Sequence, residues 1–309
     1  YGVSATYGRA AGEDVGVYPI TATLSAAAGV LDNYSITNAG AAFTIGKASS
    51  TTVVTCGAGP FTYTGAAHTP CAVAVTGVGG LDLTPTPSYA NNLNAGTATA
   101  SYTFGGDDNH TGSRDSEAFT IGEASSTTLV TCPASVPYNG AAQTPCTVAV
   151  TGAGGLSLAP APVYVNNVNV GTATASYTFA GDANHTGSSD SKSFTVNDTL
   201  PPVVTATANP PTLLWSPNKT MTPVTVSGTI TDVTSVTALF NVVDEYGTIK
   251  PQETITVAAN GSYSFVVLLE AWRKGADSNG RVYTINVTAT DAGGCTATAQ
   301  AVVTVPHNQ

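Results

Sequence analysis

Five cysteines are the residues of this chain whose spacing most directly implies chemistry. Cys56 precedes Cys71 by 15 residues and Cys132 precedes Cys146 by 14. Each pair brackets a turn-rich stretch, 57–70 or 133–145, and the pairs fall at matching places of an internal repeat. That recurrence implies two disulfides within the chain and an oxidising, extracellular setting. Loops of this size contribute about 3 kcal/mol each in the chain-entropy model. Zinc fits poorly, because no Cys-x-x-Cys occurs and His68 gives way to Gln143 in the second copy. Cys295 has no counterpart, and is either a small buried hydrophobe or a link to a cysteine outside the chain.

Carboxylates form two candidate groups. The loop Asp107-Asp-Asn-His-Thr-Gly-Ser-Arg-Asp115 recurs as Asp182-Ala-Asn-His-Thr-Gly-Ser-Ser-Asp190. Asp, Asn and Thr at alternate positions with glycine sixth match the start of a calcium loop. Ala118 and Ser193, however, stand where its bidentate glutamate belongs. Turn chemistry accounts for the same residues equally well. The second group is Asp198, Asp232, Asp244 and Asp291, a candidate Ca2+ site that would stiffen a domain joint, with solvated loop aspartates as the alternative. No other cofactor is expected.

Catalysis is not expected. The chain has no Gly-x-Ser-x-Gly, no His-Glu-x-x-His and no phosphate loop. His110 and His185 are repeat equivalents inside turns, which makes them structural, and His307 has no partner near it in sequence. Asp244 and Glu245 are adjacent on a strand or turn, so their side chains face opposite ways. A carbohydrate platform would need exposed aromatics, and Trp215, Trp272, Tyr246 and Tyr263 all lie in the last third of the chain. Trp272 follows an apolar strand and reads as core. Trp215, beside Ser216-Pro217, is the candidate ligand-binding residue.

Composition narrows the partners. The 309 residues include 19 acidic and 9 basic side chains, a formal charge of −10, so clustered phosphate neutralisation and hence nucleic acid are excluded. The longest apolar run, Phe265 to Leu269, is far too short to span a membrane. No basic start followed by an apolar stretch marks a signal peptide. Fifty threonines, with frequent Val, Gly and Pro, point to strands and tight turns.

Repeats decide the organisation. Phe43-Thr-Ile-Gly-Lys-Ala-Ser-Ser-Thr-Thr52 recurs at Phe119 to Thr128, and Gly96-Thr-Ala-Thr-Ala-Ser-Tyr-Thr-Phe104 recurs unchanged at Gly171 to Phe179. Two tandem modules follow, 47–121 and 122–197, each with six or seven short strands. Residues 198–309 open at Asp198-Thr-Leu-Pro-Pro202 and have immunoglobulin-like length and alternation. Residues 1–46 align only with the last part of a repeat. Their missing strands would come from upstream in the same polypeptide, or from a neighbouring chain in trans.

Arg9-Ala-Ala-Gly-Glu-Asp-Val-Gly-Val-Tyr-Pro-Ile-Thr21, with Asn33-Tyr-Ser-Ile36 and Phe43-Thr-Ile45, resembles the end of an MBG-type bacterial repeat. The stretches with Tyr138-Asn-Gly and Phe179 to Ser188 are similar to related bacterial Ig-like repeats. Residues 198–309, with Val243-Asp-Glu-Tyr-Gly247 and Thr290-Asp-Ala-Gly293, resemble Ig-like modules of the HYR kind. The resemblance implies an all-β, elongated array of immunoglobulin-like sandwiches in a secreted or surface-attached bacterial protein. Its implied role is structural or adhesive, with copies of itself or other cell-surface proteins as partners. The competing expectation is a carbohydrate- or calcium-dependent binding module at an adhesin tip, with a glycan as partner.

Overall fold

Period-two alternation of β-branched and small residues makes one face of each strand apolar, and the chain folds accordingly as strands joined by turns. The computed structural model describes residues 2–213 and 219–307. It is all-β, with several small sheets forming tandem sandwich-like domains. Among the described residues helix is confined to three-residue turns such as Leu31–Asn33. Among the described residues no helix is long and apolar enough to cross a membrane. The chain divides into two compact units: 1–128 with 150–158 and 178–188, and 129–149 with 159–177 and 189–309.

In the first unit, β1 (Ser4–Arg9), β2 (Gly16–Ser25) and β3 (Ala41–Ile45) form an antiparallel sheet in that order. The first repeat follows as β4 (Ser50–Cys56), β5 (Phe61–Thr62), β6 (Cys71–Gly77), β7 (Leu81–Leu83), β8 (Ser88–Ala90), β9 (Gly96–Phe104) and β10 (Ser113–Gly122). These strands build two sheets, β4-β6-β7 and β5-β10-β9-β8. Val54, Val73 and Val75 of one sheet pack with Ala100 of the other, while Ala98 packs with Phe119 and Ile121. The small alanines on β9, both fully buried, leave room for the Phe119 ring.

The two sheets are also joined by polar side chains. On β10 the residues facing β4 change from polar to apolar along the strand. Asp115 accepts a hydrogen bond from the Val54 N–H at 2.8 Å, and Glu117 accepts one from the Cys56 N–H at 2.8 Å. Ser113 Oγ lies 2.7 Å from both Ser50 Oγ and Thr52 Oγ1. The second copy repeats the pattern: Ser188 meets Ser126 and Thr128, and Asp190 accepts from the Val130 N–H at 2.8 Å.

The strands of that copy are β11 (Ser126–Thr131), β12 (Ser135–Pro137), β13 (Thr147–Gly152), β14 (Ser157–Leu158), β15 (Val163–Val165), β16 (Gly171–Gly181) and β17 (Thr186–Asn197). The pairings of β13 with β14, β12 with β17 and β15 with β16 reproduce those of β6 with β7, β5 with β10 and β8 with β9.

The second unit ends in a larger sandwich. Its strands are β18 (Val203–Val204), β19 (Thr207–Asn209), β20 (Met221–Thr231), β21 (Val236–Asp244), β22 (Gln252–Ile255), β23 (Ser262–Glu270), β24 (Arg281–Asp291) and β25 (Thr296–Val305). One sheet has β20 between β23 and the β18 and β19 pieces, and the other runs β22-β21-β24-β25. Val224, Val226, Leu269, Phe240, Tyr283, Ile285 and Val303 form its core. Gly228 is required on β20, because a Cβ there would lie 2.0 Å from the Thr205 carbonyl oxygen.

Candidate functional site

Both cysteine pairs are bonded. Cys56 and Cys71 face each other at the paired ends of β4 and β6, with Cα atoms 3.9 Å apart. Cys132 and Cys146, at the end of β11 and the start of β13, have Cα atoms 4.3 Å apart. The first bond touches both core clusters of its repeat. It therefore closes a hairpin next to the packed interior. Cys295 is free and half-buried. Burial pushes its thiol up, and the nearby charges of Asp291, Asp198 and Asp232 push it further.

The repeated Asp-x-Asn-His loop is fastened by its own side chains. In the first copy, Asp107 Oδ1 accepts from the backbone N–H groups of Asn109 and His110, at 2.9 and 2.6 Å. His110 Nδ1 lies 2.9 Å from the same carboxylate oxygen, and Nε2 lies 2.8 Å from the Val78 carbonyl. Both ring nitrogens thus face acceptors, which fits the doubly protonated imidazolium. The Val78 carbonyl and then the Asp107 carboxylate raise the His110 pKa, against the opposing effect of burial. His185 repeats this with Ala153 and Asp182.

The asparagine between them reaches the preceding copy. Asn109 Oδ1 accepts the Val15 N–H at 2.8 Å, and its Nδ2 donates to Asp14 Oδ1 at 2.9 Å. Asn184 Oδ1 accepts the Ala95 N–H at 2.9 Å, and its Nδ2 donates to Asn94 Oδ1 at 3.3 Å. Val15 and Ala95 both immediately precede the glycine that opens an equivalent strand, β2 or β9. One latch is therefore built twice. The sequence alone offers no sign of it beyond the recurrence of Asn-His, since the partners are 94 and 89 residues away.

Of the four aspartates grouped from the sequence, the structure brings together Asp198, Asp232 and Asp291, with one carboxylate oxygen of each within 4.8 Å of the others. Asp198 lies just after β17, Asp232 just after β20 and Asp291 at the end of β24. Asp244 does not belong with them. In the β21–β24 pairing Asp291 stands opposite Val236 at one end, and Asp244 stands opposite Tyr283 at the other. Eight residues of antiparallel strand separate those ends by about 27 Å.

Asp244 instead takes part in a buried ion pair. Arg281, fully buried, donates through Nη2 to Asp244 Oδ2 at 2.6 Å and through Nε to Oδ1 at 2.9 Å, and Nη1 donates to Glu270 at 2.7 Å. Burial alone would raise the Asp244 carboxyl, but the bonds from Arg281, the Ile249 N–H and Thr248 hold it well below the usual carboxylate range. The fork also lies over the rings of Tyr246 and Tyr283. Asp244 and Arg281 thus satisfy each other inside the sandwich.

Trp215, the candidate ligand-binding residue, lies outside the described residues. Trp272 is half-buried, and Tyr246 meets it edge to face at 6.3 Å, so the two rings do not present one flat surface. Tyr263 is in the core, where it donates to the Thr205 carbonyl.

No family model and no curated protein matches the chain. Several solved structures show distant likeness, of which three follow. A tetra-tandem repeat in the extending region of a large adhesion protein is 16% identical, at a TM-score of 0.34, over 96% of this chain and 83% of that one. Extracellular cadherin domains 3–6 of protocadherin gamma B2 are 10% identical at 0.30, over 93% and 83%. The three N-terminal domains of the bacteriophage RB49 highly immunogenic outer capsid protein are 13% identical at 0.20, over 97% and 98%. Likeness this faint carries no argument about function.

Proposed function

We propose that the chain is a structural, adhesive segment of a bacterial extracellular surface or filament protein, and that its work is mechanical. The observation that carries this reading is the asparagine latch, which fastens each of two successive copies to the one before it through the same atoms. A joint reproduced in this way is what a serial array needs, since each copy then contacts its sequence neighbour in a standard geometry. The disulfide in each repeat supports an oxidising environment. Two sets of buried titratable groups support a structural reading over an enzymatic one. Arg281 and Asp244 are paired with each other, and His110 and His185 are held in the latch loops. Partners on this reading are copies of the chain or other surface proteins.

Single-molecule pulling of the full chain tests the proposal. Successive separate unfolding steps are expected. Reduction should lengthen the steps of the two repeats by about 50 Å each, the span of the 15 and 14 residues released. One all-or-none step for the whole chain would overturn the array reading. Saturable binding on a glycan array would favour the tip-module alternative.

A further inference from the structure

The third place at which a latch would be expected is built differently. Val170-Gly171 opens β16 as Val15-Gly16 opens β2 and Ala95-Gly96 opens β9. No Asp-x-Asn-His loop follows in residues 198–309. Instead Val170 and Gly171 line an open cavity together with Asp198, Thr234, Gly293 and Cys295, and the three converging carboxylates lie beside it.

Those carboxylates have no ion-pair partner among the described residues, and although the Leu200 and Thr234 N–H groups donate to Asp198 and Asp232 at 3.1 Å each, Asp291 is short of a donor. Asp198 and Asp291 are more than nine-tenths buried. Among the described residues the ion pairs involve other groups. Asp291 Oδ1 accepts the Cys295 N–H at 2.8 Å, but Oδ2 is buried with no hydrogen-bond partner. Thr234 Oγ1 lies 2.8 Å from both Asp198 Oδ2 and Asp232 Oδ2. A hydroxyl carries one proton, so it can serve only one of them at a time. An unpaired buried carboxylate oxygen is costly, and three negative groups this close repel. Glycine is required at 293 beside the cluster, because a Cβ there would lie 2.8 Å from the Asp198 carbonyl oxygen and 3.3 Å from Asp291 Oδ1.

We propose that Asp198, Asp232 and Asp291 bind one calcium ion beside the Val170-Gly171 turn, doing there the work that Asn109 and Asn184 do upstream. Oxygens sharing a Ca2+ at about 2.3–2.6 Å stand no more than about 5.2 Å apart, and the observed 4.8 Å limit lies inside that. The donor set is hard oxygen without histidine, which disfavours zinc. Magnesium needs shorter bonds and gives up its water reluctantly. The inference concerns one site and stands whether or not the array reading holds.

The full chain, stripped with EDTA and then titrated with CaCl2, provides the test. Calorimetry should show one site, half-saturated at about 0.1–1 mM, the range of extracellular calcium modules. Saturation should raise Tm of the last sandwich by about 5 °C or more. Asp291→Asn should abolish both effects while its calcium-free Tm equals or exceeds that of the parent, because a repelling charge has gone. This separates loss of binding from loss of folding. Asp108→Asn, which removes an exposed charge in the first repeat, should leave both effects intact. Absence of binding up to 10 mM about the folded parent, an equal response to MgCl2, or a surviving calcium response in Asp291→Asn would each overturn the proposal.

Discussion

The sheet β1-β2-β3 and the strands β8, β9 and β10 have the same backbone plan and opposite surroundings. Gly16 pairs with Ile45 in one, and Gly96 pairs with Ile121 in the other. That register makes Phe43 the counterpart of Phe119. Phe119 is 6% exposed and its second-repeat equivalent Phe194 is 2% exposed, whereas Phe43 is 45% exposed. Strand pairing is thus set locally by the hairpin sequence, but burial depends on a second sheet lying across it. Without that sheet, β2 carries Tyr18 and Ile20 where β9 carries Ala98 and Ala100. Arg9 partly covers the face, its guanidinium standing 5.2 Å from the Tyr18 ring and 5.3 Å from the Phe43 ring. Tyr18, Ile20 and the Arg9 guanidinium thus share, among the described residues, the face that in the repeat packs against the second sheet.

Truncation of the equivalent rings should affect the two faces very differently. Phe119→Ala should cost about 3–5 kcal/mol in urea unfolding, because it opens a cavity among Ala98, Ile121 and Phe61. Equal losses for Phe43→Ala would show that the two faces are energetically alike.

Reduction of Cys56–Cys71 should cost about 3 kcal/mol. Hydrogen exchange should rise through β4 and β6 and stay unchanged in β1, which among the described residues pairs with β2.

A smaller effect concerns the fastening between the two regions. His110 is held with its pKa above the ordinary 6.5. A raised pKa means the imidazolium contribution is fully present below the unfolded value and is lost as pH rises through the folded one. Exchange of the Val15 amide, which Asn109 holds, should therefore accelerate beyond the intrinsic trend as pH passes that folded pKa. The amides at the core of β9 should not follow. A pH-independent protection factor at Val15 would refute the imidazolium assignment.

The smallest effect is that of Phe43→Ala itself. It should change stability by under about 1 kcal/mol, while lowering the binding of a hydrophobic dye to the exposed face.

Strand positions are legible in the sequence because alternation is a local property, and the cysteine pairs are legible because they recur with the repeat. Asp198, Asp232 and Asp291 are recognisable as acidic loop residues, but sequence gives no reason to leave Asp244 out. Its difference comes from Arg281, which lies 37 residues away on a neighbouring strand. The Asp107 loop resembles a calcium loop for a related reason. Asp and Asn beside Gly serve turns and metal sites alike, and only the contacts to His110, Val78 and Val15 decide between them. Long-range partners made the site, and their chemistry is invisible in the spacing of either partner alone.

The carboxylates that reach across from β10 to β4 have a consequence for crowding. β4 is an edge strand of its sheet, and free N–H groups on such an edge are a template on which another chain can add a strand. A Thr-rich chain of low charge offers such an edge at each repeat. The Val54 and Cys56 amides already donate to Asp115 and Glu117, and the Val130 amide donates to Asp190. These amides are therefore already satisfied and leave an added strand fewer donors to pair with.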